Sequence, residues 1–181
     1  METFAPPRQL VDNPRYDLDR ERILASLDLE SIDAPIREII AGLAELPCCY
    51  TIQSCYGHFV HAAQPEPHNL EPVSTHDTGP VRYRIAYLAL CLENSHAGRR
   101  LRTALEQIPA IDPEYVQFGS PEWFSRERLN TYALQVEPAR FMYKDEAVVE
   151  RDEALHLQEI RDRFFARLAG VVQAMRHEHG V

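Results

Sequence analysis

The chain predicts an α+β fold with a mixed or antiparallel sheet, on three observations. The elements read in the order helices, three extended segments, a helix, two extended segments and a helix, so strands follow one another without helices between them. Parallel neighbours would need a crossover of a dozen or more residues, usually helical, and regular alternation of that kind has no room here. Finally, no G-x-G-x-x-G follows a strand, and neither G-x-x-x-x-G-K-[ST] nor G-x-S-x-G occurs, which removes the usual dinucleotide, nucleoside triphosphate and lipase-type sites.

Residues 1–16 hold three prolines and no apolar period, which makes them an N-terminal arm with Phe4 and Leu10 as anchors. A short helix follows from Asp17, with Asp19 as candidate cap and Ile23, Leu24 and Leu27 on one face. A clearer helix spans Ala34–Leu46: Asp33 can cap it, Pro35 sits in the first turn where its missing N–H costs nothing, and Ile36, Ile39, Ile40 and Leu43 recur at helical spacing. Pro47 ends it. Tyr50–Val60 reads as strand, turn and strand around Gly57. Residues 64–80 carry four prolines among Asn, Asp, Ser and Thr and form a loop, in which Pro72–His76 can make a short edge strand.

Val81–Leu92 is the strongest strand, because β-branched and aromatic residues give way to a continuous apolar run, and it should be central. After Asn94 and Ser95, either able to cap, a helix over Ala97–Ile108 turns Ala97, Leu101, Ala104, Leu105 and Ile108 inward and Arg99, Arg100 and Arg102 outward. Pro109 stops it. Tyr115–Phe118 is a short strand, Gly119–Pro121 a turn and Leu129–Val136 a longer strand, with Trp123 between them. From Asp145 to Met175 a long helix carries Leu157, Ile160, Phe164, Leu168, Val171 and Met175 on one stripe. Glu159, Arg161, Asp162 and Arg163 read as its solvated face.

With 181 residues, 45% of them hydrophobic and 26% charged, the chain fits a single domain over 1–181 able to bury a core without staples. The four cysteines include the adjacent pair Cys48 and Cys49, and no signal peptide opens the chain, so free thiols and a cytoplasmic home are expected. No run approaches the roughly 18 apolar residues of a membrane helix. A formal charge of -9 opposes nonspecific binding to phosphate backbones, so no bulk nucleic-acid binding is expected. Oligomeric state has no signature in the sequence.

Leu46–His61, LPCCYTIQSCYGHFVH, concentrates the unusual chemistry. Its turn would carry Gln53, Ser54, Cys55, Tyr56 and His58, which offer an amide, two hydroxyls, a thiol and an imidazole, around a glycine suited to a left-handed turn or a close backbone approach. Two readings stand side by side: a site, or a half-buried hairpin with Cys55 as core filler and His58 solvated.

In order along the chain, several pieces resemble the tRNA wybutosine-synthesis methyltransferase family, whose members methylate a tricyclic guanosine derivative beside the anticodon. LDLESIDAPI (Leu27–Ile36) resembles its opening segment, YTIQSCYGHFV (Tyr50–Val60) its signature, and VSTHD (Val73–Asp77) its Ser/Thr-His-Asp segment. VRYRIAYLALCLENSHAGRRLRTAL with EYVQFGS is similar to its central strand and helix, and YALQVEPAR (Tyr132–Arg140) to the strand that ends in Ala-Val-Arg. Where the family has Ser-Ser-Cys-Ser-Gly-Arg, this chain has Gln53, Ser54, Cys55, Tyr56, Gly57 and His58, so a titratable imidazole replaces a guanidinium. The resemblance implies a barrel-like sheet built from two similar halves of three strands and two helices. It also implies S-adenosylmethionine as cofactor and methyl transfer to a nucleobase-like or other small acceptor. Ser54, Cys55 and Gly57 would then lie against the cofactor, Tyr56 would stack on an adenine, His58 would stand in the arginine's place, and Arg140 would pair with a carboxylate or phosphate. His76 and Asp77 would serve the acceptor side. The partner would be a small-molecule ligand or a modified nucleobase. If His58 holds an anion as arginine would, affinity should fall as pH rises from about 6 to 8.

The alternative function is a non-catalytic ligand- or metal-binding protein on the same fold. Cys55, His58 and His61 stand three apart, and His68 and His76 follow in the loop, all competent zinc ligands. On an extended strand the first three alternate between faces unless Gly57 turns the chain, so no zinc site is expected from this spacing. His96, His156, His177 and His179 read as helix-surface residues.

Overall fold

The structure, a computed structural model, describes residues 5–76, 78–126, 128–141 and 144–179. In chain order it contains α1 (Tyr16–Ala25), α2 (Arg37–Glu45), β1 (Cys49–Cys55), β2 (His58–Val60), β3 (Val81–Arg84), β4 (Ala86–Leu92), α3 (His96–Glu106), β5 (Val116–Gly119), α4 (Glu122–Ser125), β6 (Thr131–Val136), β7 (Glu146–Val149) and α5 (Arg151–His179), with short 3-10 turns between some of them. The class is α+β. One sheet runs β1-β4-β6-β5 and the other β2-β3-β7, and every pairing is antiparallel. Among the described residues neither sheet closes into a barrel.

The expected hairpin around Gly57 is a bend instead. β1 does not pair with β2; β1 pairs with β4, and β2 pairs with β3. The register runs through the bend without a slip, since Cys55 faces Tyr87 and His58 faces Arg84. One long strand therefore passes from the first sheet into the second at Tyr56–Gly57, and its antiparallel partner does the same at Ile85. Glycine kinks are a usual device for turning such corners. Ala86 N–H, at this corner, donates to the Tyr83 hydroxyl at 3.0 Å, and that hydroxyl donates to the Val136 carbonyl at 2.9 Å. A fully buried tyrosine thus satisfies groups that would otherwise cost about 1–3 kcal/mol each.

One face of the larger sheet, with Leu88, Leu90, Leu92, Leu134 and Val136, joins the main core together with Ile39, Ile40 and Leu43 of α2, Leu101 and Leu105 of α3, and the stripe of α5. The predicted stripe is buried at every position from Leu157 to Met175. At about 1.5–3 kcal/mol per fully buried side chain it outweighs the roughly 0.7 kcal/mol per residue that separates ordinary helix formers. Ser95 caps α3, its Oγ accepting from Gly98 N–H at 3.1 Å.

Other boundaries differ from expectation. Residues 146–149 are a strand, not the start of the last helix: Ala147 and Val149 are buried and Glu146 and Val148 exposed, a period of two that pairs β7 with β3. Pro72–His76 is not a strand, although Val73 is buried and donates to Gln158 Oε1 at 2.7 Å. Asp19 lies within the first turn of α1 and does not cap it. Tyr16, not the Ile23 face, is the buried anchor of that helix, and Arg20 donates to the carbonyls of Ala44, Leu46 and Cys49. The four cysteines are free and buried. No helix of the described residues is long and apolar enough to cross a membrane.

Candidate functional site

A bend in a strand releases backbone groups from the ladder, and buried ones must find partners. At this corner, side chains supply them. Tyr56 N–H donates to Asp33 Oδ2 at 2.8 Å, Gly57 N–H donates to Cys55 Sγ at 3.4 Å, and Gly57 carbonyl accepts from Arg161 Nη1 at 3.1 Å. Gly57 has φ +89, and a Cβ there would lie 2.8 Å from the Ala86 Cβ and 3.1 Å from its backbone nitrogen. Both the left-handed conformation and the crossing strand therefore require glycine.

Asp33, expected to cap the second helix, makes no capping bond. Its carboxylate faces the bend, 3.5 Å from His58 Nε2, while His58 Nδ1–H donates to the Asn69 carbonyl at 3.1 Å. With acceptors on both ring nitrogens, the doubly protonated imidazolium is the form that fits. The bond to Asp33, followed by one to Cys55, overrides burial and raises His58 from its ordinary 6.5 to about 10. Burial by itself would raise Asp33, but hydrogen bonds from His58 and the Tyr56 amide hold its carboxyl below the usual 3.8. His58 is 2% exposed, so neither a solvated histidine nor a group titrating between pH 6 and 8 describes it. Anion affinity resting on His58 would be flat across that range, contrary to the sequence-based expectation.

Arg161 is 3% exposed, which corrects its assignment to the solvated face of the last helix. Its guanidinium lies 4.0 Å from the centroid of the Tyr56 ring and 5.2 Å from that of Phe59, and its Nε donates to Asp162 Oδ1. The Tyr56 ring is thereby engaged within the protein, packed against Phe165 with its hydroxyl donating to Asp162.

Cys55 also ends a row across the larger sheet: Cys55 faces Tyr87, Tyr87 faces Gln135 and Gln135 faces Gln117, all on the surface opposite the main core. The Tyr87 hydroxyl donates to Gln53 Oε1 at 3.4 Å, and burial pushes this phenol upward, so it remains a donor at neutral pH. In the adjacent row Ala89 and Ala133 leave space that Phe124 of α4 fills, and neighbouring Trp123 is 66% exposed.

Cys55, Tyr56, Gly57 and His58 thus come together at the corner. Ser54, next along the strand, points to the other face, where its Oγ is buried without a hydrogen-bond partner among the described residues. The loop residues brought to His58 are Asn69 and His68, whose ring stands edge-on with centroids 5.7 Å apart. His76 is exposed, its amide bonded to Ser74 Oγ. Asp77 lies outside the described residues. Arg140 is ion-paired with Glu153 and stacked over Phe141 at 4.6 Å. Reasoning from sequence missed Asp33 and Arg161 as members of the site and named His68 only as a competent zinc ligand in the loop. Only Arg161 left a signal: it stands four residues after Leu157 and seven before Leu168, on the apolar stripe itself.

The fold is shared with the PH1069 protein of Pyrococcus horikoshii, at a TM-score of 0.57 and 11% identity over 89% of this chain and 95% of that one. A hypothetical protein from Aeropyrum pernix overlaps at a TM-score of 0.43 and 13% identity, over 78% of this chain and 98% of that one. No family model and no curated protein matches the sequence.

Proposed function

We propose that this chain is an S-adenosylmethionine-dependent methyltransferase-like protein of the tRNA wybutosine-synthesis type, acting on a nucleobase-like or other small acceptor. The observation that carries this reading is convergence. Two segments that separately resemble pieces of the family pattern, one with Asp33 and one with Tyr50–Val60, meet at the Gly57 corner, where the Asp33 carboxylate binds the Tyr56 amide and His58. The departure from the family pattern also narrows: His58 replaces an arginine, and Asp33 keeps it cationic to about pH 10.

When bound, S-adenosylmethionine supplies an electrophilic methyl group. Positioning accounts for most of the rest of such a reaction. Cys55, Gly57 and His58 would hold the cofactor, while Ser54, on the core face of the strand, and Tyr56, covered by Arg161, would support the turn from behind. On the surface opposite the main core, Gln53, Tyr87 and Gln117 offer amide and phenol groups of the kind that read a base edge. His76, Asp77 and Arg140 keep the acceptor-side and charge-pairing roles that the resemblance implies. The barrel-like sheet of two similar β3α2 halves belongs to the same proposal, supported by strands that bend jointly from one sheet into the other. So does a cytoplasmic location.

Calorimetric or thermal-shift titration with S-adenosylmethionine tests the proposal. A ligand at 100 times its dissociation constant should add about 2.7 kcal/mol of stability. His58→Ala should weaken the binding. No binding of any adenosyl ligand by folded wild-type protein would remove the enzyme.

A further inference from the structure

Asp33, Cys55 and His58 place a carboxylate oxygen, a thiol sulfur and a ring nitrogen all within 4.8 Å of one another. Bonds of about 2.0–2.3 Å to a tetrahedral ion would set such atoms roughly 3.3–3.8 Å apart. The Asp33 and His58 atoms already stand at 3.5 Å. A contraction of about 1 Å completes the set. We propose that Asp33, Cys55 and His58 form a zinc site whose fourth position faces solvent, on the side where His68 stands.

Each ligand is already oriented by an outer partner. His58 gives its Nδ1–H to the Asn69 carbonyl, which is how metal-bound imidazoles are usually held, and zinc would replace the proton that Nε2 otherwise shares with Asp33, releasing it to solvent. Cys55 Sγ accepts from Gly57 N–H, and Asp33 Oδ2 accepts from Tyr56 N–H, leaving a second oxygen. The same arrangement argues against a Cys-His-Asp nucleophile relay. In a relay the acid and the thiol take opposite ring nitrogens, whereas here Nδ1 is given to a backbone carbonyl. Access exists, because the Asp33 side chain is 23% exposed and His68 is exposed. This ligand set differs from the one that sequence spacing suggests. His61 is held instead by Gln64 Oε1 at 3.1 Å, and its place is taken by Asp33, 22 residues before Cys55. The other cysteines, Cys48, Cys49 and Cys91, are buried at the far end of β1 and β4.

The site shares Cys55 and His58 with the methyl-transfer reading, but the two are tested apart, since zinc and S-adenosylmethionine are titrated separately. Chelator-stripped full-length protein is titrated with zinc against a chromophoric competitor and with cobalt by absorption. The zinc-loaded protein is examined by X-ray absorption. Expected are one equivalent bound, a thiolate-to-cobalt charge-transfer band, and one sulfur with two or three nitrogen or oxygen neighbours. Cys55→Ser and Asp33→Asn should each weaken zinc by at least about 100-fold, the upper end of what loss of a mere supporting contact costs. His61→Gln should bind as wild type does. If Cys55→Ser does not fold, the wild-type X-ray absorption still decides. No zinc binding below millimolar, no sulfur neighbour, or more than one sulfur would overturn the site, as would wild-type affinity in folded Cys55→Ser.

Discussion

His58 shows how one contact changes what a side chain can do. A solvated imidazole titrates near neutrality, but this one is buried between Asp33 and the Asn69 carbonyl and stays charged to about pH 10. The consequence for stability has a definite sign. Because the folded state binds the proton more tightly than the unfolded chain, this contribution is fully present below about pH 6.5 and is lost as pH rises towards about 10. We expect the unfolding free energy from urea denaturation to fall across that window, at no more than about 1.4 kcal/mol per pH unit. Asp33→Asn should flatten the fall. Cys55 and His68 face the same imidazole and are common to both proteins, so the difference between the two curves isolates the ion pair. Equal slopes would show that Asp33 does not hold the charge.

At the scale of elements, α5 both closes the core and fastens the corner. Its apolar stripe does the first, and Arg161, lying on that stripe, does the second by donating to the Gly57 carbonyl and covering Tyr56 and Phe59. Arg161→Leu leaves a buried carbonyl without its donor, so we expect a loss of roughly 2–3 kcal/mol in denaturant unfolding. Arg163→Ala, two residues on and 54% exposed, should change stability by no more than about 0.5 kcal/mol. Similar losses for the two would mean that the buried contact contributes little. The same logic accounts for β7: four residues with inside–outside alternation complete the second sheet beside β3, although acidic neighbours make them look like the start of a helix.

For the whole molecule, charge decides how it meets polymers. The net charge of -9 repels phosphate, and the one dense basic cluster is largely engaged within the protein: Arg100 pairs with Glu178, Arg102 with Glu106 at 2.7 Å, and Arg99 bonds Asn94 Oδ1 at 2.8 Å. We expect weak, strongly salt-dependent binding to bulk tRNA in a filter assay. Tight binding that survives physiological salt would contradict this. A modified anticodon loop remains compatible with the proposed function, because stacking on exposed rings such as Trp123 does not depend on net charge.

The sequence by itself determined the α+β class, the helical stripe of α5, a cap for α3 at Asn94 or Ser95 and the need for glycine at position 57. Each depends on periodicity or backbone sterics within a few residues, and such preferences do not change with what the rest of the chain does. It also placed the unusual chemistry at Cys55–His58. Only the tertiary structure decided whether Gly57 reverses the strand or bends it, because both use the same left-handed residue and differ only in which strand lies alongside. It alone moved Asp33 from a helix cap to the Tyr56 amide, 23 residues away, and brought Arg161 to a carbonyl 104 residues away. A charged side chain carries no local mark of its partner. Its burial, its protonation and its fitness as a ligand are set by the unsatisfied group that the fold brings against it.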